Sequence, residues 1–328
     1  MNVVFFGATQ FGLKCLETLL TINDVNITGV LTGKQLFNIS YSKNKPVYNV
    51  LYADFQAFCA ERGIPCAVLK DKMTDPELIN IIQHWNPEFI LVIGWYHIVP
   101  KQILDMAKKG IAGIHASLLP KYRGGAPLVW SLINGESATG VSFFFLDEGV
   151  DTGKIIDQRK IPIKLNDTIK TLYSKVEQES INMLRENIPL IINNTYSAFE
   201  QSEPYGIHRK AWPPRSPEDG IIDWSKGSLE IYNFVRAQTM PYPGAFTYLK
   251  ETKITIWECK LFDWSPKHGQ AGEVIGFVTE GPLKGILVAT KDSDCPLLFT
   301  HLEVEGKHYT GIEFIEKNMI AIGDCFKS

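Results

Sequence analysis

The amino-terminal half of the chain alternates short apolar runs with segments of helical periodicity. The apolar runs lie at residues 3–6, 27–31, 66–69, 89–93 and 111–115, and residues 11–20 have the pattern of an amphipathic helix. This alternation is typical of a parallel sheet covered by helices. We therefore predict an α/β domain, and we expect its ligands at the carboxyl ends of the strands.

The turn after the first predicted strand is flanked by Gly7 and Gly12. The run reads Gly-Ala-Thr-Gln-Phe-Gly, so it lacks the middle glycine of the Gly-x-Gly-x-x-Gly dinucleotide motif. The pattern favours a tight strand-to-helix turn over a dinucleotide-binding loop.

The composition changes after a predicted helix at residues 167–190. Residues 193–217 are polar and rich in proline, which favours a linker between domains. Beyond the linker we predict a helix at 231–237 and short strands at 245–249, 253–257, 273–278, 286–289 and 297–301. These strands predict a small β-barrel. The expected domains are residues 1–192, a linker at 193–217, and the barrel at 218–328.

Composition limits the class of protein. With 328 residues, 45% of them hydrophobic, the chain can bury a substantial core. It begins without a basic leader, and no apolar run approaches the ~20 residues that cross a bilayer, so we expect a cytoplasmic protein with no membrane partner. The six cysteines are scattered, which predicts reduced thiols and no metal site. The net charge of -3 and pI near 6.2 disfavour nucleic acid as a partner.

One histidine and one aspartate stand in positions suited to proton transfer. His115 ends the predicted strand 111–115 and opens the run His-Ala-Ser-Leu-Leu-Pro-Lys-Tyr-Arg-Gly. Asp151 lies further on, in the run Leu-Asp-Glu-Gly-Val-Asp-Thr-Gly. A histidine can move protons near neutral pH, and an adjacent carboxylate would orient the ring and stabilise the imidazolium. A histidine taken alone is more often a satisfied core or loop residue.

These runs together resemble the signature of enzymes that transfer a formyl group from 10-formyltetrahydrofolate to an amine. The resemblance implies a Rossmann-like parallel sheet with a smaller C-terminal β-barrel, and a catalytic domain at 1–192. It implies 10-formyltetrahydrofolate as co-substrate, His115 and Asp151 as the catalytic pair, and a folate site shaped by the loop that contains Ser117. Similar enzymes hold the pterin largely through main-chain atoms of the segment that matches His97, Ile98 and Val99. They also hold it through the loop that matches Asp147, Glu148, Gly149, Val150 and Asp151.

The chain departs from this family at Gly113, where similar enzymes carry a catalytic asparagine. By analogy, the asparagine amide would donate to the developing oxyanion, and removing such a donor costs ~3 kcal/mol in other enzymes. Three explanations stay open: His115 and a water supply the bond, the chain is a weakened or engineered variant, or its activity has drifted. Gly113→Asn is expected to raise turnover unless the loop geometry requires glycine.

Other features near the motif have two interpretations each. The Gly124-Gly125 pair lets the loop approach a ligand closely, or it permits a tight turn. Trp95 and Tyr96 belong to the ligand site or to the core. Asp147 and Glu148 contact the ligand or form a solvated turn.

The acceptor amine is suggested by shorter resemblances. Residues 60–65 and 120–124 resemble the formyltransferase that acts on UDP-4-amino-4-deoxy-L-arabinose, whereas residues 241–246 resemble both this group and methionyl-tRNA formyltransferase. Together with the acidic pI, this favours a small-molecule acceptor, a nucleotide-linked amino sugar. Two alternatives remain, namely a methionyl-tRNA formyltransferase that binds tRNA, and a weakly active or non-enzymatic folate-binding member. The sequence leaves the oligomeric state open.

Overall fold

The computed structural model describes residues 1–37, 47–202, 210–263, 268–292 and 295–328. The strands of the first half are β1 (Asn2–Phe6), β2 (Asn26–Thr32), β3 (Leu36–Phe37), β4 (Val47–Tyr48), β5 (Cys66–Val68), β6 (Phe89–Val92), β7 (Ile111–His115), β8 (Ala138–Phe145) and β9 (Ile155–Pro162). Those of the second half are β10 (Ala245–Leu249), β11 (Thr252–Leu261), β12 (Val274–Val278), β13 (Gly285–Val288), β14 (Leu297–Val304), β15 (Lys307–Thr310) and β16 (Phe326–Lys327).

The described parts of the chain also contain helices between several of these strands. They are α1 (Gln10–Leu19), α2 (Phe55–Arg62), α3 (Pro76–His84), α4 (Lys101–Leu104), α5 (Pro127–Ile133), α6 (Ile169–Ile192), α7 (Ser228–Gln238) and α8 (Gly311–Glu316), with a 3-10 turn at Pro217–Gly220. None of the helices in the described parts of the chain is long and apolar enough to cross a membrane.

The first sheet has seven strands in the order β5-β2-β1-β6-β7-β8-β9. Its strands from β5 to β7 pair in parallel, and β8 joins antiparallel to β7. Every residue of β6 is buried, as expected of a sheet covered on both faces. The predicted α/β sheet is thus confirmed. Because β1, β6 and β7 are parallel neighbours, the loops that follow them start at the same edge of the sheet.

The turn from β1 into α1 is tight. Thr9 caps the helix, since its hydroxyl accepts a hydrogen bond from the N–H of Gly12. A Cβ atom on Gly12 would lie 2.6 Å from the carbonyl oxygen of Ile93, and one on Gly7 would lie 2.9 Å from the same oxygen. Both glycines therefore let the turn pack directly against the backbone that follows β6.

The second sheet is antiparallel and curled. Its strand order is β12-β13-β14-β11-β10-β16, with β15 paired to β14. The segment before β16 hydrogen-bonds back to the region of β12: the N–H of Val274 donates to Asp324 O at 2.8 Å, and the N–H of Phe326 donates to Gly272 O at 2.8 Å. Trp224, Phe299 and Phe326 contact one another in its core. This barrel-like sheet confirms the predicted architecture of the C-terminal part.

The chain divides into two compact units. The first contains Met1–Gly124, Thr139–Pro162 and Ser174–Trp212; the second contains Gly125–Ala138, Ile163–Tyr173 and Pro213–Ser328. The domain limits expected from the sequence, with a linker at 193–217, stay a prediction.

The packing of β2 against α3 generates a test. A Cβ atom on Gly29 would lie 2.0 Å from Cδ2 of the buried Trp85 ring. We expect Gly29→Ala to lower the free energy of unfolding by about 1–3 kcal/mol, because a full core must then move. Gly33→Ala is the matched control, since its nearest atom would lie 3.7 Å away. Urea unfolding measures both, and equal stability of the two variants would contradict this packing.

Candidate active site

His115 ends β7 at the sheet edge where the loops begin. It is buried, with 9% of its surface exposed. Its Nε2 lies 2.8 Å from the carbonyl oxygen of Tyr122, and its Nδ1 lies 3.5 Å from Oδ2 of Asp151. The structure therefore brings together the histidine and the aspartate that the sequence paired.

Asp151 is held through both its side chain and its main chain. Its Oδ2 accepts a hydrogen bond of 2.9 Å from the N–H of Gly124, and its backbone is in the left-handed region, with φ 53°. The side-chain amide of Gln201 donates to Asp151 O at 2.9 Å and to Gly153 O at 2.8 Å. The carboxylate is thus fixed in front of the histidine ring.

The contacts of His115 determine where a proton can go. A carbonyl oxygen only accepts, so Nε2 carries the hydrogen that bonds Tyr122. The Nδ1 lone pair of the neutral ring then faces Asp151 at a distance longer than an ordinary hydrogen bond. A proton that arrives on Nδ1 would be held between the ring and a negative charge. This arrangement is the one expected of a histidine paired with a carboxylate for proton transfer.

The turn that presents the Tyr122 carbonyl is tightly packed. Tyr122 has φ 58°, and its buried ring lies 5.2 Å from that of Trp212. A Cβ atom on Gly124 would lie 2.4 Å from Trp212 O, and one on Gly125 would lie 2.5 Å from Pro214 Cα. The two glycines thus allow the loop to pack closely against another part of the chain itself.

Ser117 lies in the turn that follows β7 and is completely buried. Its hydroxyl donates to Lys121 O at 2.6 Å, and its carbonyl accepts from the Ser142 hydroxyl at 2.7 Å. The Gln158 amide donates to Leu119 O at 3.0 Å and to Ser142 Oγ at 2.8 Å. Ser117 therefore stabilises the loop after β7, and the part of this loop in a folate site stays a prediction. Sequence reasoning missed Ser142 and Gln158, which carry no motif and reach the loop from β8 and β9.

Gly113 lies inside β7 on the same face as His115, since the two are two residues apart. A Cβ atom there would lie 2.9 Å from Val92 O and 3.0 Å from Cδ1 of Leu146. The neighbouring strand β6 therefore approaches as closely as glycine allows. Any side chain at this position has a steric cost, and this cost limits the gain expected from Gly113→Asn.

The loop 147–153 is organised around Asp147. Its Oδ1 accepts hydrogen bonds from the N–H of Gly149 at 3.0 Å and from the hydroxyl of Thr152 at 2.6 Å. A Cβ atom on Gly153 would lie 1.9 Å from Phe145 O, so the loop closes only with glycine there. The Asp147 side chain thus has a structural role in the turn.

An ion pair connects this loop to the segment after β6. Lys101 Nζ lies 3.2 Å from Glu148 Oε1, and hydrogen bonds to Asp105 and Glu148 raise the pKa of Lys101. Val150 remains exposed. The ion pair itself is exposed, so it indicates proximity of the two segments and contributes little stability.

The segment 97–99 combines one buried, one half-buried and one exposed side chain. Val99 is buried, whereas 63% of Ile98 is exposed. The His97 ring lies 5.3 Å from Trp95 and 5.5 Å from Phe37, and burial lowers the pKa of His97. His97 is consequently a neutral aromatic at physiological pH.

The main chain of residues 97–99 differs from the neighbouring segments in its hydrogen bonding. Within the described parts of the chain, its N–H and C=O groups form no hydrogen bond. The nearby Trp95 Nε1 is also buried without a partner in those parts. The Trp95 ring packs on Phe6 and belongs to the core, as one of the two interpretations expects. The open main-chain groups fit the backbone recognition of a pterin that the resemblance implies.

No cluster of three or more His, Cys, Asp or Glu residues suited to a metal ion occurs among the residues that the structure describes.

Both the sequence and the fold of this chain are similar to those of known proteins. Residues 1–188 match the family model "Formyl transferase", and residues 215–318 match "Formyl transferase, C-terminal domain". The chain is 30% identical over 294 residues to a methionyl-tRNA formyltransferase of Thermodesulfovibrio yellowstonii, covering 88% of this chain and 90% of the relative. It is 35% identical over 320 residues to the bifunctional polymyxin resistance protein ArnA of Wigglesworthia glossinidia brevipalpis, covering 98% of this chain and 45% of the relative.

Two solved structures share the fold. WlaRD, a sugar 3N-formyltransferase solved in the presence of dTDP and 5-N-formyl-THF, has a TM-score of 0.63 at 20% identity and covers 94% of this chain and 98% of its own. The N-formyltransferase from Helicobacter canadensis, in complex with folinic acid and dTDP-3-aminofucose, has a TM-score of 0.62 at 21% identity and covers 90% and 98%.

Proposed function

This chain belongs to the formyl transferase family, and we propose that it transfers a formyl group from 10-formyltetrahydrofolate to the amine of a nucleotide-linked amino sugar. One observation carries the proposal: His115 and Asp151 face each other at 3.5 Å on the sheet edge where the open main chain of residues 97–99 also begins. This arrangement combines proton transfer with backbone recognition.

Two loops would hold the folate. The main-chain groups of residues 97–99 would bind the pterin, with the exposed Ile98 and the neutral His97 ring beside it. The loop 147–151 would bound the site, since the pair Lys101–Glu148 brings it close to the same segment. When bound, the folate supplies the formyl carbon that the acceptor amine attacks.

His115 would manage the protons of the transfer. An amine attacks only after it has lost its proton, and the departing nitrogen must gain one. His115 takes the first proton at Nδ1, where the Asp151 carboxylate stabilises the imidazolium, while Nε2–H stays bonded to Tyr122 O. His115 then returns a proton to the leaving nitrogen. No covalent bond to the protein is required.

Charge supports the sugar nucleotide as acceptor. In residues 213–328 acidic side chains outnumber basic ones, and the whole chain has a net charge of -3. Binding of a tRNA backbone requires many basic side chains that neutralise phosphates. The resemblance of residues 60–65 and 120–124 to the formyltransferase that acts on UDP-4-amino-4-deoxy-L-arabinose also supports this acceptor. The fold is shared with two N-formyltransferases solved with dTDP or dTDP-3-aminofucose. Methionyl-tRNA is the second candidate acceptor, because a 30% identical relative of similar length is a methionyl-tRNA formyltransferase.

The first test removes proton transfer with little change in shape. We expect His115→Asn to lower kcat by roughly 100- to 10,000-fold, the usual worth of a positioned acid and base. Asp151→Asn should also lower kcat and change the pH–rate profile, since an amide can still accept from Gly124 but carries no charge. Steady-state kinetics, with the exposed His308→Ala as control, measure these effects. A fully active His115→Asn variant would refute the mechanism.

The second test separates the oxyanion role of position 113 from its packing. Both Gly113→Ala and Gly113→Asn should lower the free energy of unfolding by about 1–3 kcal/mol, because both place a Cβ atom against Val92 O. If the amide reaches the oxyanion, Asn should exceed Ala in turnover by as much as ~3 kcal/mol of barrier. Thermal unfolding and kcat are measured for both. Equal turnover would mean that another donor already serves the oxyanion.

The third test concerns the acceptor. We expect kcat/KM for a dTDP- or UDP-linked amino sugar to exceed that for methionyl-tRNA by roughly 100-fold or more. The reason is that buried polar groups of the site would find hydrogen-bond partners only on the correct substrate. Mass detection of the formylated product measures both reactions, and His115→Asn provides the blank. Faster formylation of the tRNA, with a steep loss of activity as salt rises, would reverse the assignment.

A further inference from the structure

Asn49 is buried between two exposed apolar residues. Only 3% of its surface is accessible, whereas 61% of Tyr48 and 65% of Val50 are exposed. This order is the reverse of what polarity alone would produce. A buried amide must find hydrogen-bond partners to offset its lost hydration, so the contacts of Asn49 explain its position.

The Asn49 amide joins two loops at the ligand edge of the sheet. Its Nδ2 donates to Ala8 O at 2.9 Å, in the turn after β1. Its Oδ1 accepts from the hydroxyl of Tyr96 at 3.2 Å, in the segment after β6, and from the N–H of Leu51 at 3.0 Å. One side chain therefore connects both loops to its own segment.

The framework around Asn49 is fixed by main-chain bonds. The N–H of Ala8 donates to Gly94 O at 3.0 Å, and the N–H of Gln10 donates to Leu51 O at 2.8 Å. By contrast, the main chain of residues 97–99 forms no hydrogen bond within the described residues. Tyr96 is thus the last anchored residue before the segment that would bind the pterin.

We propose that Asn49 is a positioning residue for the folate donor: by holding the Tyr96 hydroxyl, it sets the place and direction in which the main chain of residues 97–99 begins. The inference rests on the proposed function, since it assigns the folate to that segment. The Phe37 ring, 5.1 Å from Tyr96 and 5.5 Å from His97, supports the same segment from its other side.

The role predicts a specific kinetic signature. The bonds of Asn49 exist before folate binds and lie outside the reacting atoms, so they affect ground state and transition state alike. Their loss should raise KM and Kd for the folate and leave kcat nearly unchanged. Loss of a residue needed only for stability would lower the unfolding temperature without raising KM and Kd selectively over kcat.

Asn49→Ala, Tyr96→Phe and the double variant test the inference. Calorimetry with 5-formyltetrahydrofolate gives Kd, and steady-state kinetics with 10-formyltetrahydrofolate give KM and kcat. We expect each single change to raise Kd and KM by about 2- to 10-fold, the worth of a lost hydrogen bond, with kcat within about twofold. The double variant should bind the folate no more weakly than the weaker-binding of the two single variants, because both changes break the same hydrogen bond between Tyr96 and Asn49.

Asn187→Ala is the matched control. Asn187 is also a buried asparagine with two side-chain hydrogen bonds, to Asp157 and to Met183 O, on α6. It should lose stability and keep the folate Kd of the wild type. If the folate Kd of Asn187→Ala rose as much as that of Asn49→Ala, the effect at Asn49 would be explained by general destabilisation. That outcome would overturn the inference.

The outcomes distinguish the inference from the function on which it rests. If the wild type does not bind 5-formyltetrahydrofolate, the proposed function fails. If the wild type binds it and Asn49→Ala binds equally well, only the positioning role fails. If Asn49→Ala does not fold, Tyr96→Phe decides, and an unchanged Kd and KM in that variant overturn the inference.

Discussion

The parallel pairing of β1, β6 and β7 is the constraint on which the site depends. These strands are apolar and buried, so they occupy the middle of the sheet, and all three end at one edge. That edge receives the turn after β1, the segment after β6 and the terminal His115 of β7. The chemistry of the site thus begins as a consequence of burying hydrophobic strands side by side.

Close approach of backbone to backbone is the second theme of the site. Gly12, Gly113, Gly124 and Gly153 each leave less than 3 Å between an added Cβ atom and a carbonyl oxygen of a neighbouring segment. These distances show that the backbone segments pack closely against one another at these positions. Close packing matters for the proposed proton transfer, because such a step needs its groups within a fraction of an ångström of the productive geometry.

Polar side chains hold the loops of the site through further hydrogen bonds. Ser142 and Gln158 secure the loop after β7, Gln201 fixes the main chain of Asp151, and Asn49 ties Tyr96 to the turn after β1. The main chain at residues 97–99 is left without such partners in the described structure. The framework has hydrogen-bond partners within the protein and the segment 97–99 has none in the described structure, and this contrast supports the proposal that a ligand binds there.

The sequence by itself predicted β1, β2 and β5 to β7 of the first sheet, β10 to β14 of the second sheet, and the α/β class, because hydrophobic periodicity is a local property. The motif runs also paired His115 with Asp151, whereas β8, β9, β15 and β16 lie outside the predicted strands. Only the tertiary structure decided that Tyr122 O accepts a hydrogen bond from Nε2 of His115 and that Gly113 packs against the carbonyl oxygen of Val92. It also decided that the Asn49 side chain accepts a hydrogen bond from the Tyr96 hydroxyl. These contacts join residues of different loops and strands. Their partners are chosen by strand order and packing, which no local pattern records.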